Sequence, residues 1–125
     1  MKNTEAKKIF IVDDDKMMTE ALSDYLTREV AHEITVFHTG EDCLRQLDQN
    51  PDYVILDFYL NSVQKDAANG MEILQTIRKN YPRVHVIMLS SQERYGLALQ
   101  TIEKGAEQYV IKDFDSFEKI AEMIN

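Results

Sequence analysis

The stretch Lys8-Ile-Phe-Ile-Val-Asp-Asp-Asp15 joins a short apolar run directly to three consecutive aspartates. Short, mostly apolar runs recur four more times along the chain, and runs of this length and composition are typical of strands that are buried on both faces of a sheet. The five predicted strands are Lys8–Val12, Ile34–Phe37, Tyr53–Leu56, Val84–Leu89 and Gln108–Ile111. A parallel sheet is therefore the first structural expectation.

Amphipathic segments separate these strands, with apolar residues at the three- and four-residue spacing of a helix face. The positions that follow this spacing include Met17, Met18, Leu22 and Leu26 in the first helix and Leu99 and Ile102 in the fourth. Alternating strands and helices predict an α/β fold with right-handed crossovers. For five strands we expect a flavodoxin-like, doubly wound (βα)5 sheet with the order 2-1-3-4-5.

Polar residues at the helix starts support this division. Asp15 is well placed to cap the first helix. The helices that follow the second, third and fifth strands begin with sequences that resemble capping boxes, in which an acidic residue lies three positions after the cap. The predicted caps of these three helices are Thr39, Asn69 and Asp115.

Length and composition restrict the function further. The chain has 125 residues, which predicts a single domain over 1–125 with its core at about 7–124 and no effector domain. Lys and Arg number 14 against 22 Asp and Glu, and this net charge of −8 argues against nucleic acid as a partner. Cys43 is the single cysteine, so a disulfide framework is excluded, and no apolar run is long enough to span a membrane. We therefore expect a cytoplasmic protein.

The residues that carry chemistry should follow the strands, because ligands of open α/β sheets bind outside the carboxyl ends of the strands. Asp13 and Asp14 follow the first predicted strand, Asp57 the third, Ser90 the fourth and Lys112 the fifth. Carboxylates suit Mg²⁺ or Mn²⁺, and a divalent cation, a hydroxyl and an ammonium can share the three oxygens of a phosphoryl group. Asp57 is then a candidate nucleophile that forms an aspartyl phosphate.

These motifs resemble the receiver domain of response regulators in two-component signalling. Gly70, which opens the third helix, matches the glycine that starts this helix in the family. The other shared motifs are Ile-Val-Asp13-Asp14-Asp15, Val-Ile-Leu-Asp57, Val-Ile-Met-Leu-Ser90-Ser91 and Gly105-Ala-Glu-Gln-Tyr109-Val-Ile-Lys112.

The resemblance implies a metal-dependent phosphorelay. Asp57 would accept a phosphoryl group from a histidine kinase or a histidine phosphotransfer protein. Asp13 and Asp14 would bind Mg²⁺ or Mn²⁺ together with Asp57 and the backbone carbonyl of Tyr59. The chain would then catalyse its own phosphorylation and dephosphorylation only, and would not be an enzyme in the usual sense.

The resemblance also implies a conformational switch. Ser90 and Lys112 would contact the phosphoryl oxygens, and Tyr109 would turn inward when Ser90 moves toward the phosphate. The fourth helix, expected at about 93–104, would change with the fifth strand and the fifth helix. We expect this surface to bind an effector or to form a homodimer.

Two positions depart from the family pattern. About five extra residues lie within 61–69, where the polar composition predicts an exposed loop, either as a harmless insertion or as a docking element for a partner. Asp113 follows Lys112 in place of the usual proline, so the 112–113 peptide bond is expected to be trans.

Access of water to the phosphate is expected to be restricted. By resemblance, Tyr59 and Gln92 flank the path of the water that would hydrolyse the aspartyl phosphate. Tyr59 is bulky and its phenol is no general base at neutral pH, while the amide of Gln92 does not take a proton from water. A long-lived phosphorylated state is the expected result, unless Tyr59 points outward into solvent.

Three other functions compete with this interpretation. The Asp13-x-Asp15 motif, followed by a serine and a lysine, also resembles the haloacid-dehalogenase-like phosphatases. That family, however, carries more carboxylates on a strand after its lysine. A flavodoxin-like cofactor protein needs a phosphate-binding loop where three aspartates stand. A degenerate receiver that only docks to partners is the third, although every chemical residue of the family is present. The lone residues His32, His38, His85 and Cys43 are interpreted as structural.

Overall fold

The computed structural model describes residues 5–60, 69–91 and 95–125. Its helices and strands alternate along the chain as predicted, with a short 3₁₀ turn at Leu47–Gln49 after the second helix. The strands are β1 Lys8–Val12, β2 Glu33–Phe37, β3 Tyr53–Asp57, β4 His85–Ser90 and β5 Gln108–Ile111. The helices are α1 Lys16–Leu26, α2 Gly40–Arg45, α3 Gly70–Asn80, α4 Tyr95–Glu103 and α5 Ser116–Ile124.

The sheet is parallel throughout, and its strand order is β2-β1-β3-β4-β5, which confirms the flavodoxin-like prediction. β3 and β4 each end one residue later than predicted, and β4 also begins one residue later. Asp57 and Ser90 are therefore the last residues of their strands, held by the sheet itself rather than by the loops that follow.

Two apolar layers cover the sheet, because successive side chains of a strand point to opposite faces. In β1, Ile9 and Ile11 pack with α1 and α5, while Phe10 and Val12 pack with α2 and α3. Each of these four side chains is fully buried. Burial on both faces explains why β1 is almost continuously apolar.

Three of the four predicted caps are confirmed. The side chains of Asp15 and Thr39 each accept a hydrogen bond from the backbone N–H three residues later, at 3.2 and 3.1 Å. Asn69 and Glu72 form a complete capping box, with each side chain accepting from the backbone of the other residue. The start of α3 is thereby fixed beside the end of β3.

Asp115 occupies the N-cap position of α5, as predicted, but its side chain makes no capping hydrogen bond, so the capping box expected there is wrong. The Asp115 carboxylate contacts Lys119 Nζ at 3.3 Å, and the Asp115 backbone N–H donates to the carboxylate of Asp113 at 3.3 Å. The Ser116 hydroxyl donates to the Asp113 carbonyl at 2.9 Å. Asp113 thus accepts the Asp115 backbone N–H that the Glu118 side chain would accept in a capping box.

Some residues at predicted helix-face positions are exposed. Met17 in the first turn of α1 is 83% exposed, although its spacing predicts packing. In α4, Leu99 is 70% exposed, Ile102 is also exposed, and Thr101 is fully buried. The apolar pair of α4 therefore faces solvent.

Close backbone packing positions α3 against the site. A Cβ atom on Gly70 would lie 2.4 Å from the Asp57 carbonyl oxygen, so this position requires glycine. The Gly70 N–H donates to the Phe58 carbonyl at 2.8 Å. The Lys112–Asp113 peptide bond is trans, as predicted. Among the residues that the structure describes, none of the helices is long and apolar enough to cross a membrane.

Candidate functional site

The carboxyl edge of the sheet brings the predicted residues together. Asp13 directly follows β1, Asp57 ends β3, Ser90 ends β4 and Lys112 directly follows β5. Parallel pairing of these strands keeps their ends level, and the Lys112 N–H donates to the Ser90 carbonyl at 2.7 Å. Side chains that are far apart in sequence are thus placed at one edge.

Lys112 bridges two buried carboxylates. Its Nζ lies 3.0 Å from Asp13 Oδ2 and 3.2 Å from Asp57 Oδ1. The side chains of Asp13 and Asp57 are only 2% and 4% exposed, while that of Lys112 is 27% exposed. Because charges are poorly solvated at such burial, each ionised carboxylate depends on this ammonium for stabilisation.

Burial also changes the acidity of Asp57. Loss of solvation raises the pKa of the Asp57 carboxyl to about 7, and the nearby Asp13 charge adds to the rise. Lys112 and the backbone N–H of Tyr59 oppose this shift. For Lys112, burial disfavours the charged form, but the two carboxylates outweigh burial and raise the pKa of the ammonium. The arrangement thus favours a protonated lysine beside an acid with a pKa near neutrality.

Asp14 completes an acidic triad. One carboxylate oxygen from each of Asp13, Asp14 and Asp57 lies within 4.8 Å of the others. Three hard oxygen donors at this separation fit a divalent cation such as Mg²⁺, which prefers carboxylates and water as ligands. Repulsion from Asp13 adds to the effect of burial in raising the pKa of Asp57, and a divalent cation would relieve this repulsion.

Hydrogen bonds from β2 hold the turn that carries Asp13. The Asp13 N–H donates to the Phe37 carbonyl at 3.0 Å, and His38 Nδ1 lies 2.9 Å from the Asp13 carbonyl oxygen. Asp13 Oδ1 accepts from the Asp15 N–H at 3.0 Å. His38 is a site neighbour that sequence reasoning set aside, although its place directly after β2 put it at the same edge.

The two predicted switch residues lie on adjacent strands. Ser90 is fully buried at the end of β4, and Tyr109 is half-buried in β5, where it pairs in register with Met88. Tyr109 packs against the core layer formed with α2 and α3. Ser90 itself pairs with Ile111, two residues after Tyr109, so the two predicted switch residues lie on directly paired strands.

The residues predicted to control water access are described in part. Tyr59 follows β3 by two residues, is partly exposed, and packs edge-on against Phe58 with ring centroids 4.9 Å apart. The predicted partner Gln92 lies outside the described residues, as do residues 61–68 of the predicted loop insertion. The metal role of the Tyr59 carbonyl stays a prediction.

The cysteine and two of the histidines that are interpreted above as structural are buried or lie at the amino end of a strand. Cys43 is fully buried, and this burial raises the pKa of its thiol to about 12. His32 is also buried and accepts a hydrogen bond from the Lys7 N–H at Nδ1. His85 starts β4 and contacts the exposed Glu107 carboxylate at 3.3 Å, at the opposite edge of the sheet.

Comparison with known proteins gives consistent results. The sequence profile of the response regulator receiver domain matches residues 9–125. The BeF3-activated receiver domain of DrrB is 30% identical with a TM-score of 0.82, over 96% of this chain and 95% of that one. DrrB from Thermotoga maritima, an OmpR/PhoB homologue, is 30% identical with a TM-score of 0.81, over 96% of this chain and 51% of that one. The receiver domain of NtrX from Brucella abortus is 26% identical with a TM-score of 0.79, over 92% of this chain and 95% of that one.

Proposed function

The chain belongs to the response regulator receiver domain family, and we propose that it acts in a phosphorelay with Asp57 as the phosphoacceptor. The observation that carries this proposal is the position of Asp57, buried at the end of β3 and 3.2 Å from Lys112 Nζ. The phosphodonor is a histidine kinase or a histidine phosphotransfer protein.

Phosphoryl transfer needs a nucleophile in its ionised form and a stabilised phosphoryl charge. A carboxylate oxygen of Asp57 attacks the phosphorus of the donor phosphohistidine, so that a P–O bond forms and the P–N bond breaks, with the electron pair left on the histidine nitrogen. The Lys112 ammonium and the Ser90 hydroxyl bind phosphoryl oxygens. Lys112 also favours the ionised form of Asp57, against the effect of burial.

The acidic triad is the proposed site for the metal ion. Asp13, Asp14 and Asp57 would hold Mg²⁺ or Mn²⁺ together with the backbone carbonyl of Tyr59. When bound, the cation supplies positive charge that offsets the repulsion among the carboxylates and the charge of the phosphoryl group.

A phosphatase of the haloacid-dehalogenase type finds less support in the geometry. The carboxylates of Asp113 and Asp115, which follow Lys112, contact Lys119 Nζ at 3.8 and 3.3 Å at the start of α5. The Lys119 ammonium offsets the charges of both carboxylates there. We therefore propose self-phosphorylation and slow self-dephosphorylation, without turnover of external phosphate esters.

Phosphorylation by acetyl phosphate tests the proposal. Wild-type protein incubated with acetyl phosphate and Mg²⁺ should gain the mass of one phosphoryl group, and EDTA should prevent this. Asp57→Asn should gain none, whereas Asp52→Asn, at the exposed residue directly before β3, should behave as wild type. Equal phosphorylation of Asp57→Asn would contradict the assignment, and sustained hydrolysis of an excess phosphate ester would favour the phosphatase.

We further propose that phosphorylation alters the surface of α4, β5 and α5 through Ser90 and Tyr109. Support comes from their adjacent strands and from the exposed Leu99 and Ile102 side chains of α4, which offer an apolar face for an effector or a second copy of the chain. Beryllium fluoride should shift amide resonances from Ser90 through β5 as well as near Asp57. Shifts confined to the neighbourhood of Asp57 would contradict the switch.

The remaining proposals concern lifetime and location. Tyr59 and Gln92 are proposed to restrict the approach of water to phospho-Asp57, which would make the phosphorylated state long-lived. A net charge of −8 is unfavourable for nucleic acid, so we propose that this domain acts through proteins. We place it in the cytoplasm, with no membrane partner.

A further inference from the structure

His38 lies at the end of β2, beside the turn that carries two of the triad acids, and its imidazole is half-buried. Its Nδ1 lies 2.9 Å from the backbone carbonyl oxygen of Asp13. Because a carbonyl oxygen only accepts hydrogen bonds, Nδ1 must carry the proton and donate it. The ring is thus fixed on the backbone of a residue whose carboxylate belongs to the site.

The last residue of β2 and the residue after it bind both backbone polar groups of Asp13. The Asp13 N–H donates to the Phe37 carbonyl at 3.0 Å, and the Asp13 carbonyl accepts from His38. Within the turn, Asp13 Oδ1 accepts from the Asp15 N–H at 3.0 Å, while Oδ2 lies 3.0 Å from Lys112 Nζ. Three hydrogen bonds therefore fix the orientation in which Asp13 presents Oδ2 to the buried side of the site.

We propose that His38 is a positioning residue for the divalent-cation site: its Nδ1–H holds the Asp13 carbonyl and so directs the Asp13 carboxylate toward Asp57. The inference rests on the proposed function, since it concerns the same acidic triad. Hydrogen bonds one step removed from a metal orient its ligands, and their loss typically lowers metal affinity about 10- to 100-fold. Two other hydrogen bonds to Asp13 remain without His38, so the lower end of this range is expected.

Three variants separate the donor from the shape of the side chain. His38→Asn places an amide N–H close to the position of Nδ1, whereas His38→Leu has nearly the same shape as asparagine and no donor. His38→Gln places its amide further from the backbone, so it displaces the donor while keeping a polar side chain. These substitutions change the contact with Asp13 and leave the three acids intact.

Thr39→Ala is the matched control for loop stability. Thr39 adjoins His38, and its hydroxyl accepts from the Asp42 N–H at 3.1 Å as the cap of α2. Loss of this cap destabilises the same loop without removing a hydrogen bond to Asp13. The control therefore reports what general loosening of the β2–α2 junction does to the metal site.

Mn²⁺ affinity of the unphosphorylated proteins, measured by water-proton relaxation, is the readout, with melting temperatures recorded in EDTA. Wild type, His38→Asn and Thr39→Ala should bind Mn²⁺ within about twofold of one another, and His38→Leu about tenfold more weakly. Thr39→Ala should melt at a lower temperature than wild type. If His38→Leu does not fold, His38→Gln takes its place with the same expected loss.

Three results would overturn the inference while leaving the proposed function in place. The first is a Mn²⁺ affinity of His38→Leu equal to that of wild type. The second and third are a loss of Mn²⁺ affinity in His38→Asn, or in Thr39→Ala, as large as the loss in His38→Leu. A wild-type protein that binds no Mn²⁺ would instead overturn the metal site itself, and the positioning role with it.

Discussion

The two edges of the sheet carry ionic contacts of similar length in different surroundings. At the carboxyl edge, Lys112 Nζ lies 3.0 and 3.2 Å from Asp13 and Asp57, whose side chains are almost completely buried. At the amino edge, His85 Nδ1 lies 3.3 Å from Glu107, with side chains 52% and 47% exposed. The contact distances at the two edges are nearly the same, whereas the exposed fractions of the side chains differ greatly.

Burial determines what such a contact can do. An exposed pair is solvated whether or not it forms, and it typically contributes about 0–1 kcal/mol. A buried pair loses that solvation, so removal of one partner leaves a charge with no adequate substitute. The carboxyl edge therefore holds charges that a cation or a phosphoryl group can strongly affect, and the amino edge holds an ordinary surface contact.

Removal of the buried cation should have the largest effect. Lys112→Met keeps most of the side-chain volume but removes the ammonium that contacts both Asp13 and Asp57, which should cost about 2–4 kcal/mol in the free energy of unfolding at pH 8. Urea denaturation in EDTA measures this loss, and phosphorylation by acetyl phosphate should also be strongly impaired. Lys119→Met, at an exposed lysine, is the control. Equal stability losses in the two variants would erase the difference between buried and exposed sites.

The stability of the protein should depend on pH through Asp57. Its pKa is raised from 3.8 to about 7 by burial and by Asp13, so ionisation is harder in the folded state than in the unfolded state. The protonated form of Asp57 therefore favours the folded state. Its contribution to the free energy of unfolding is fully present below about pH 4 and is lost as the pH rises to about 7. In EDTA, Asp57→Asn should therefore gain stability relative to wild type across this interval, by on the order of 1–3 kcal/mol. A stability difference independent of pH would show that Asp57 is not the perturbed acid.

Magnesium should stabilise the carboxyl edge selectively. With Mg²⁺ tenfold above its dissociation constant, mass action should add about 1.4 kcal/mol to the stability of wild type. Asp13→Ala should lose most of the resulting increase in melting temperature, while Asp52→Ala at the amino edge should keep it. An equal increase in melting temperature with Mg²⁺ in Asp13→Ala would show that the triad is not the magnesium site.

Tyr59 tests access to the buried acid. If its ring restricts water, Tyr59→Asn should shorten the lifetime of phospho-Asp57 several-fold, because an amide next to the phosphate can orient water and occupies less space. The decay rate after removal of the phosphodonor is the measurement, with Tyr81→Asn, at the C-terminus of α3, as a distant control. Equal decay rates in wild type and Tyr59→Asn would refute shielding.

The smallest effect is expected at the amino edge. Glu107→Gln removes the charge partner of His85 and should change the free energy of unfolding by less than about 0.5 kcal/mol. Urea denaturation at pH 6 and pH 8 measures it. A loss as large as that of Lys112→Met would mean that solvent exposure does not separate the two edges.

Much of the fold could be predicted from the sequence, because strands buried on both faces leave almost continuous apolar runs. Two predictions from residue spacing are wrong, because neighbouring residues make the expected contacts instead. Asp115 has the spacing of a capping box, but Asp113, two residues earlier, accepts its backbone N–H. Leu99 and Ile102 have helical spacing, but Thr101 occupies the buried face of α4. Spacing alone does not show which face of a short helix packs.

The membership of the site could be predicted, but its energetics could not. Because the carboxyl ends of parallel strands lie at one edge of the sheet, the sequence positions of Asp13, Asp57 and Lys112 predict that these residues lie together. Their burial and their contact distances depend on side chains from several elements. The contact of His38 with the Asp13 carbonyl shows the same limit, since a single histidine after a strand has no sequence signature.

The most direct test of the account is to locate the phosphoryl group. After phosphorylation with acetyl phosphate and Mg²⁺, borohydride reduces an aspartyl phosphate to homoserine, and peptide mass spectrometry locates the modified residue. Homoserine is expected at position 57 in wild type, and none is expected in a sample prepared in EDTA. Homoserine at position 13 or 14, or a phosphoryl group found on a histidine with position 57 unmodified, would contradict it.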